Sequence, residues 1–164
     1  MFKKLFGNKK NTNEITIAAP VDGELVPLEE VPDPVFSEKM MGDGIAIKPA
    51  NGNVVAPVNG KILQVFPTLH AVGIQADNGV EILIHIGLET VNLKGEGFTA
   101  HVQEGDTVKQ GDKLITFEEA VIQEKAKSTI TPIIITNTTD MKEIRKAKNN
   151  TVAAGQDEIL FIKK

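Results

Sequence analysis

Two histidines, His70 and His85, carry the widest chemical scope in this 164-residue chain. They lie in two apolar, alternating stretches separated by the turn signal Asp77-Asn78-Gly79, so neighbouring antiparallel strands can bring them together. Strand alternation over Glu81-Ile-Leu-Ile-His85-Ile predicts Glu81, Leu83 and His85 on one face and Ile82, Ile84 and Ile86 on the other, against the core. The same rule predicts a shared face for Thr68, His70, Val72 and Ile74. An imidazole with an ordinary pKa of about 6.5 is partly neutral near pH 7 and can attack phosphorus, hold a proton or ligate a metal. All three chemistries fit a histidine pair, and the residues alone leave the choice open.

The neighbours narrow the surroundings. Val72, Ile74 and Leu83 predict an apolar, partly exposed setting that shields a modified imidazole from water and docks a protein partner. Thr68 offers a hydroxyl to a histidine nitrogen or a phosphoryl oxygen. Glu89, four residues beyond His85, is positioned to orient an imidazole, repel an anion or do neither. The third histidine, His101, follows a Gly-rich loop and reads as solvent-facing and inert.

Other chemistries lack their residues. The chain has no cysteine, which removes disulfides, thiolate zinc sites and cysteine nucleophiles. Gly42-Asp-Gly44 is not followed by Gly-Lys-Ser/Thr, so no Walker loop cradles a nucleotide. No Gly-x-Ser-x-Gly elbow or His-Glu-x-x-His pair supports a hydrolase. A formal net charge of -4 argues against nucleic-acid binding and suits a soluble cytoplasmic protein.

The elements that must hold the histidines read as all-β. Ala19-Pro-Val-Asp-Gly-Glu-Leu-Val26 returns thirty-seven positions later as Ala56-Pro-Val-Asn-Gly-Lys-Ile-Leu63, a repeat that predicts two related hairpin units. Strands are expected over Met40–Ile47, Ile130–Thr136 and Glu158–Ile162, a short helix over Phe117–Lys127, and a second helical turn between Asp140 and Lys148. The expected architecture is an antiparallel β-sandwich or barrel of duplicated hairpin motifs, with one or two short helical turns. The proline-rich stretch Glu29–Ser37 reads as a surface loop whose Val35 and Phe36 either fold onto the core or line a partner-binding rim. Residues 1–14 read as a flexible tail, with Phe2, Leu5 and Phe6 at helical spacing among lysines. That pattern suits weak membrane association through residues 2–10 at the inner face of the membrane. Residues 15–164 then form the single folded domain.

Matching stretches along nearly the whole folded part identify a family. Ile17-Ala-Ala-Pro-Val-Asp-Gly-Glu24, Val31-Pro-Asp-Pro-Val-Phe36, Gly42-Asp-Gly-Ile-Ala-Ile-Lys-Pro49, Ile84-His-Ile-Gly87, Leu93-Lys-Gly-Glu-Gly-Phe98 and Glu124-Lys-Ala-Lys-Ser-Thr-Ile-Thr-Pro132 occur in family order. The chain resembles the free-standing glucose-class enzyme IIA proteins of the bacterial phosphoenolpyruvate-dependent sugar phosphotransferase system.

The resemblance implies an antiparallel β-sandwich phosphocarrier with no required cofactor. It implies that His85 accepts a phosphoryl group on Nε2 from phospho-HPr and passes it to a cysteine of a sugar-specific IIB domain of a membrane permease. His70 would steady the group and Thr68 would join the hydrogen-bond relay. The apolar residues Val35, Phe36, Val72 and Leu83, with Glu89 where relatives often carry Asp, are the expected partner contacts. Some relatives regulate other proteins, in one case through zinc at a partner interface, which makes a zinc-dependent regulatory module using His70 and His85 the alternative reading. A swinging-arm carrier, suggested by Glu104-Gly-Asp106 and Lys39-Met-Met41, lacks the Met-Lys-Met order.

Overall fold

The computed structural model describes residues 14–164. Fourteen strands alternate with tight turns in this region. They are β1 (Glu14–Ala18), β2 (Gly23–Pro27), β3 (Asp43–Pro49), β4 (Asn53–Val55), β5 (Gly60–Val65), β6 (Ala71–Ala76) and β7 (Glu81–His85), followed by β8 (Phe98–Ala100), β9 (Thr107–Val108), β10 (Lys113–Phe117), β11 (Thr131–Ile135), β12 (Glu143–Lys146), β13 (Thr151–Val152) and β14 (Glu158–Lys163). Every paired neighbour is antiparallel. The largest sheet runs β13-β2-β3-β11-β7-β6-β5-β9, and two smaller sheets run β1-β14-β12 and β4-β10-β8. None of the three closes on itself among the described residues, so of the two expected architectures the barrel is not observed.

The order of the large sheet is a palindrome of duplicated parts. β2-β3 in one half answers β5-β6 in the other, and the edge strands β13 and β9 complete the two units. Equivalent hydrogen bonds recur at the repeat spacing. Leu25 N–H donates to Asn150 O and Ile62 N–H to Asp106 O, while Gly155 N–H donates to Ala19 O and Gly111 N–H to Ala56 O, all at 2.8 Å. Gly23 and Gly60 open their strands because a Cβ at either would collide with a backbone oxygen of the adjacent strand, at Lys48 and Gln75 respectively. The duplication therefore extends past the Ala-Pro-Val-Asx-Gly copies to a second, weaker pair: Thr107-Val-Lys-Gln-Gly111 matches Thr151-Val-Ala-Ala-Gly155.

The large sheet is buried on both faces in its centre. Ile82, Ile84, Ile133 and Ile135 point into the main core, where they meet Val72, Ile74, Leu114, Ile115 and Ile162. Ala46, Ala71, Leu83 and Ile134 point the other way, into a second cluster capped by Leu28, Val31 and Phe36. This double burial explains why β11 reads as an unbroken apolar run rather than an alternating one.

The cap on the second face is the proline-rich stretch, which is not an irregular loop. Leu28–Glu30 form a 3-10 turn and Pro34–Ser37 form helix α1. Pro34 takes the first helical turn, where its missing N–H costs nothing, and Asp33 caps it by accepting from Val35 N–H at 3.0 Å. Phe36 is consequently 3% exposed, folded onto the sheet, while Val35 stays 38% exposed at the rim. Lys127 Nζ ties the stretch down by donating to Pro32 O at 2.7 Å.

The expected helix near residue 120 is present as α2 (Glu119–Lys125). The expected helical turn after Asp140 is not: Thr138–Asp140 make a 3-10 turn and the chain continues into β12. Pairing overrides the capping-box signal there, because Ile144 packs toward the core beside Ile162 and Arg145 stacks over the Phe161 ring at 4.6 Å. The amphipathic pattern of residues 2–10 lies outside the described residues. Among those described, no helix is long and apolar enough to cross a membrane.

The core behind the histidines carries the fold's stability. Ile84→Ala, at a fully buried position paired with Val72 and Ile133, is expected to cost about 3 kcal/mol or more. Leu63→Ala, at a 39% exposed position, should cost less than about 1 kcal/mol. Urea unfolding of both variants checks the contrast.

Candidate functional site

The sheet delivers His85 as the sequence pattern predicts. It is the last residue of β7, on the face it shares with Leu83, and its ring is half-buried. Its strand partner is Ala71, the first residue of β6.

His70 arrives differently. Val72 pairs with Ile84 and Ile74 with Ile82, so both β6 residues face the main core and not the histidine cleft. Val72 is fully buried and is not available as a docking residue, which corrects that expectation. Alternation fails because the β6 ladder begins only at Ala71, and Leu69 just before it turns the chain with a φ of +61°. That turn brings the His70 side chain to the cleft side, where it is 5% exposed. Its own carbonyl accepts from Ile86 N–H at 2.7 Å, locking the turn to the end of β7.

The two imidazoles therefore meet edge to face, with ring centroids 4.9 Å apart and planes at 81°. Phe36 lies tilted against His85, with centroids 4.9 Å apart and planes at 57°, and Phe66 stands against His70 at 5.6 Å. Both rings line a cleft of about 340 Å³ with Asp33, Val35, Met41, Leu83, Glu89 and Val91. Larger hollows elsewhere, such as one of about 550 Å³ beside Arg145 and Phe161, contain no histidine. Among the described residues no lysine or arginine lines the histidine cleft, and the two charged residues that do are both carboxylates.

Hydrogen bonds fix one ring's protonation. His85 Nδ1 lies 2.9 Å from Gly87 O. A carbonyl only accepts, so Nδ1 carries the hydrogen and the neutral ring keeps its lone pair on Nε2. His70 Nδ1 lies 2.5 Å from Thr68 Oγ1, a pairing in which either atom can donate. Burial and the neighbouring His85 lower the pKa of His70 from 6.5 to about 4. Burial also pushes His85 down, opposed by its Gly87 bond and by the negative charge of Asp33. Two neutral imidazoles at neutral pH are the result.

The remaining expected residues divide. Thr68 and Leu83 sit in or against the site, and Val35 and Phe36 supply its rim and one wall. Glu89 lines the cleft on a left-handed backbone, φ +61°, with no hydrogen bond to either imidazole among the described residues. His101 is exposed and bonds Thr116 Oγ1 at 3.1 Å, away from the cleft. A tetrahedral zinc site needs four donors. Two imidazoles supply half of them, and no group of three or more His, Cys, Asp or Glu residues placed to hold a metal occurs among the described residues. Asp33, Met41, Phe66 and Val91 were not expected from the sequence. Phe66 had a signal, an aromatic beside Pro67 at a strand end; the others come from connecting segments, Val91 from a 3-10 turn over Thr90–Leu93, that only the fold brings together.

Comparison with known proteins gives this arrangement a family. Residues 15–141 match the family described as phosphoenolpyruvate-dependent sugar phosphotransferase system, EIIA 1. A glucose-specific EIIA component from Oceanobacillus iheyensis is 59% identical over 163 residues, covering 99% of both chains. One from Staphylococcus aureus is 50% identical over 163 residues, covering 99% of this chain and 98% of the relative. Among solved structures, the glucose permease IIA from Mycoplasma capricolum superposes with a TM-score of 0.85 at 43% identity, covering 90% of this chain and 95% of that one. The chain belongs to the enzyme IIA family of the phosphoenolpyruvate-dependent sugar phosphotransferase system, whose members are histidine-phosphorylated phosphocarriers.

Proposed function

We propose that His85 Nε2 is the atom that carries the phosphoryl group. The observation that supports this most directly is the bond from His85 Nδ1–H to Gly87 O, which leaves Nε2 as the bare, nucleophilic nitrogen of a ring lining the cleft. Nε2 attacks the phosphorus of a donor phosphohistidine, the donor's P–N bond breaks, and its electron pair stays on the departing imidazole. In the second transfer a cysteine thiolate attacks phosphorus and His85 leaves as a neutral ring, because Nδ1 has kept its proton throughout. The donor is HPr and the acceptor a cysteine of a IIB domain. The glucose-specific designation of the relatives supports a glucose-class permease as the onward partner.

His70 acts on the group once it is attached. When Thr68 donates its hydroxyl hydrogen to His70 Nδ1, the neutral His70 ring carries its proton on Nε2 and donates it to a phosphoryl oxygen. Among the described residues the cleft adds no cation of its own, and the carboxylates of Asp33 and Glu89 at its edge disfavour a lingering dianion. The phosphoryl group therefore keeps a high tendency to transfer, and an arriving partner gains by presenting positive charge. Val35 and Glu89, exposed at the rim, are the docking residues, with the exposed Met41 and Val91 beside them and the buried Phe36 and Leu83 forming the wall and floor behind.

Incubation with phosphoenolpyruvate, enzyme I and HPr should label the wild-type protein in an acid-labile bond. His85→Ala is expected to abolish the label, whereas His70→Gln should keep it and slow onward transfer by about a hundredfold. Stoichiometric label on the His85→Ala protein would remove His85 from the role.

The protonation states make a separate prediction. Because both rings titrate below 6.5 in the fold, the unfolded chain takes up protons first as pH falls. Their contribution to stability is complete above about pH 6.5 and is lost as pH falls towards about 4, where His70 itself protonates. Ring-proton NMR should show a His70 midpoint near 4, and the decline in unfolding free energy between pH 7 and 5 should be smaller in His70→Gln.

A further inference from the structure

We infer that Thr90 is a positioning residue for phosphoryl transfer, acting through the Ile86–Gly87 peptide to aim the Gly87 carbonyl at His85. The inference rests on the role of His85 proposed above. Thr90 is one of three buried polar residues among the described residues, and it is fully buried. Its Oγ1–H donates to Ile86 O at 2.6 Å. Ile86 N–H in turn donates to His70 O at 2.7 Å, so Ile86 is held on both sides, by the His70 backbone and by the Thr90 side chain.

The next peptide is held too. Leu88 N–H donates to Ser128 O at 2.9 Å, which fixes the Gly87–Leu88 plane from the side of α2. Gly87 sits between the two clamps with φ +77°. A Cβ there would lie 2.6 Å from Thr90 Cγ2 and 2.8 Å from Ser128 O. The threonine methyl thus fills the space that the glycine leaves open, while its hydroxyl sets the plane on the other side. Of the groups that orient Gly87 O toward His85 Nδ1, the hydroxyl of Thr90 is the side-chain contribution; the Ser128 clamp is backbone. Without it Ile86 O is buried with no side-chain donor, the peptide is free to tilt, and the Nδ1–H tautomer loses part of its preference over Nε2–H. A ring with hydrogen on Nε2 has no lone pair there to attack phosphorus.

The test reads the tautomer in the full-length, unphosphorylated protein by 15N NMR of the histidine rings, alongside phosphoryl acceptance from phospho-HPr. Wild type should show a pyrrole-type Nδ1 and a pyridine-type Nε2 on His85. Thr90→Val keeps the shape without the hydroxyl and should give averaged nitrogen shifts and an about three- to tenfold lower kcat with KM unchanged. Thr90→Ser restores the hydroxyl and should return both readouts to wild type, and Thr90→Cys, a weak donor, should fall between. A folded Thr90→Val protein with wild-type shifts and kcat overturns the inference, as does a Thr90→Ser protein that behaves like Thr90→Val. Because the shifts are read before any transfer, a wild-type protein phosphorylated elsewhere than His85 counts against the functional reading alone.

Discussion

One hydrogen bond organises this protein: His85 Nδ1–H to the carbonyl of Gly87. It decides which ring nitrogen keeps its lone pair, and it holds a half-buried imidazole at a set angle against Phe36 and His70. An imidazole free in solution samples both tautomers and many orientations. Here the strand end, the glycine turn and the segment before β6 remove that freedom before any partner arrives, which is the preorganisation that an efficient acceptor needs. Burial supports the same end, because it keeps both rings uncharged at neutral pH and so keeps the lone pair available.

The rest of the fold serves that geometry through duplication. In the palindromic sheet, the strand pairings make His70 and His85 equivalent to Asp43 and Ile134 of the other half. There Asp43 meets Lys146 at 2.7 Å and Lys39 at 3.5 Å, a polar tie between strands with no imidazole. Lys146 and the backbone N–H of Gly44 hold its carboxyl below the usual carboxylate range despite partial burial. The same backbone frame thus presents a pair of packed imidazoles on one half and an ion pair on the other. The difference lies in side chains and in the Leu69 turn, which re-aims His70 from the sheet register into the cleft.

Much of this was legible in the sequence. Alternation placed His85 and Leu83 on one face and the isoleucines on the other, since β7 is a regular central strand. The Ala-Pro-Val-Asx-Gly copies announced the duplication, because proline and glycine mark strand starts in both. Alternation failed at Val72, where a left-handed residue breaks the register before the strand begins. The helical expectation after Asp140 failed because pairing with β14 outweighed a local capping pattern. Gly87 O had no sequence signature as a partner, since every residue carries a carbonyl, and Thr90 becomes visible only once its hydroxyl is seen beside Ile86.

The most direct test of the account is phosphorus–nitrogen correlation by NMR on the phosphorylated, 15N-histidine-labelled protein. A coupling from phosphorus to Nε2 of His85, with a proton still on Nδ1, is the predicted result. Phosphorus on Nδ1 of His85, or on either nitrogen of His70, would contradict it.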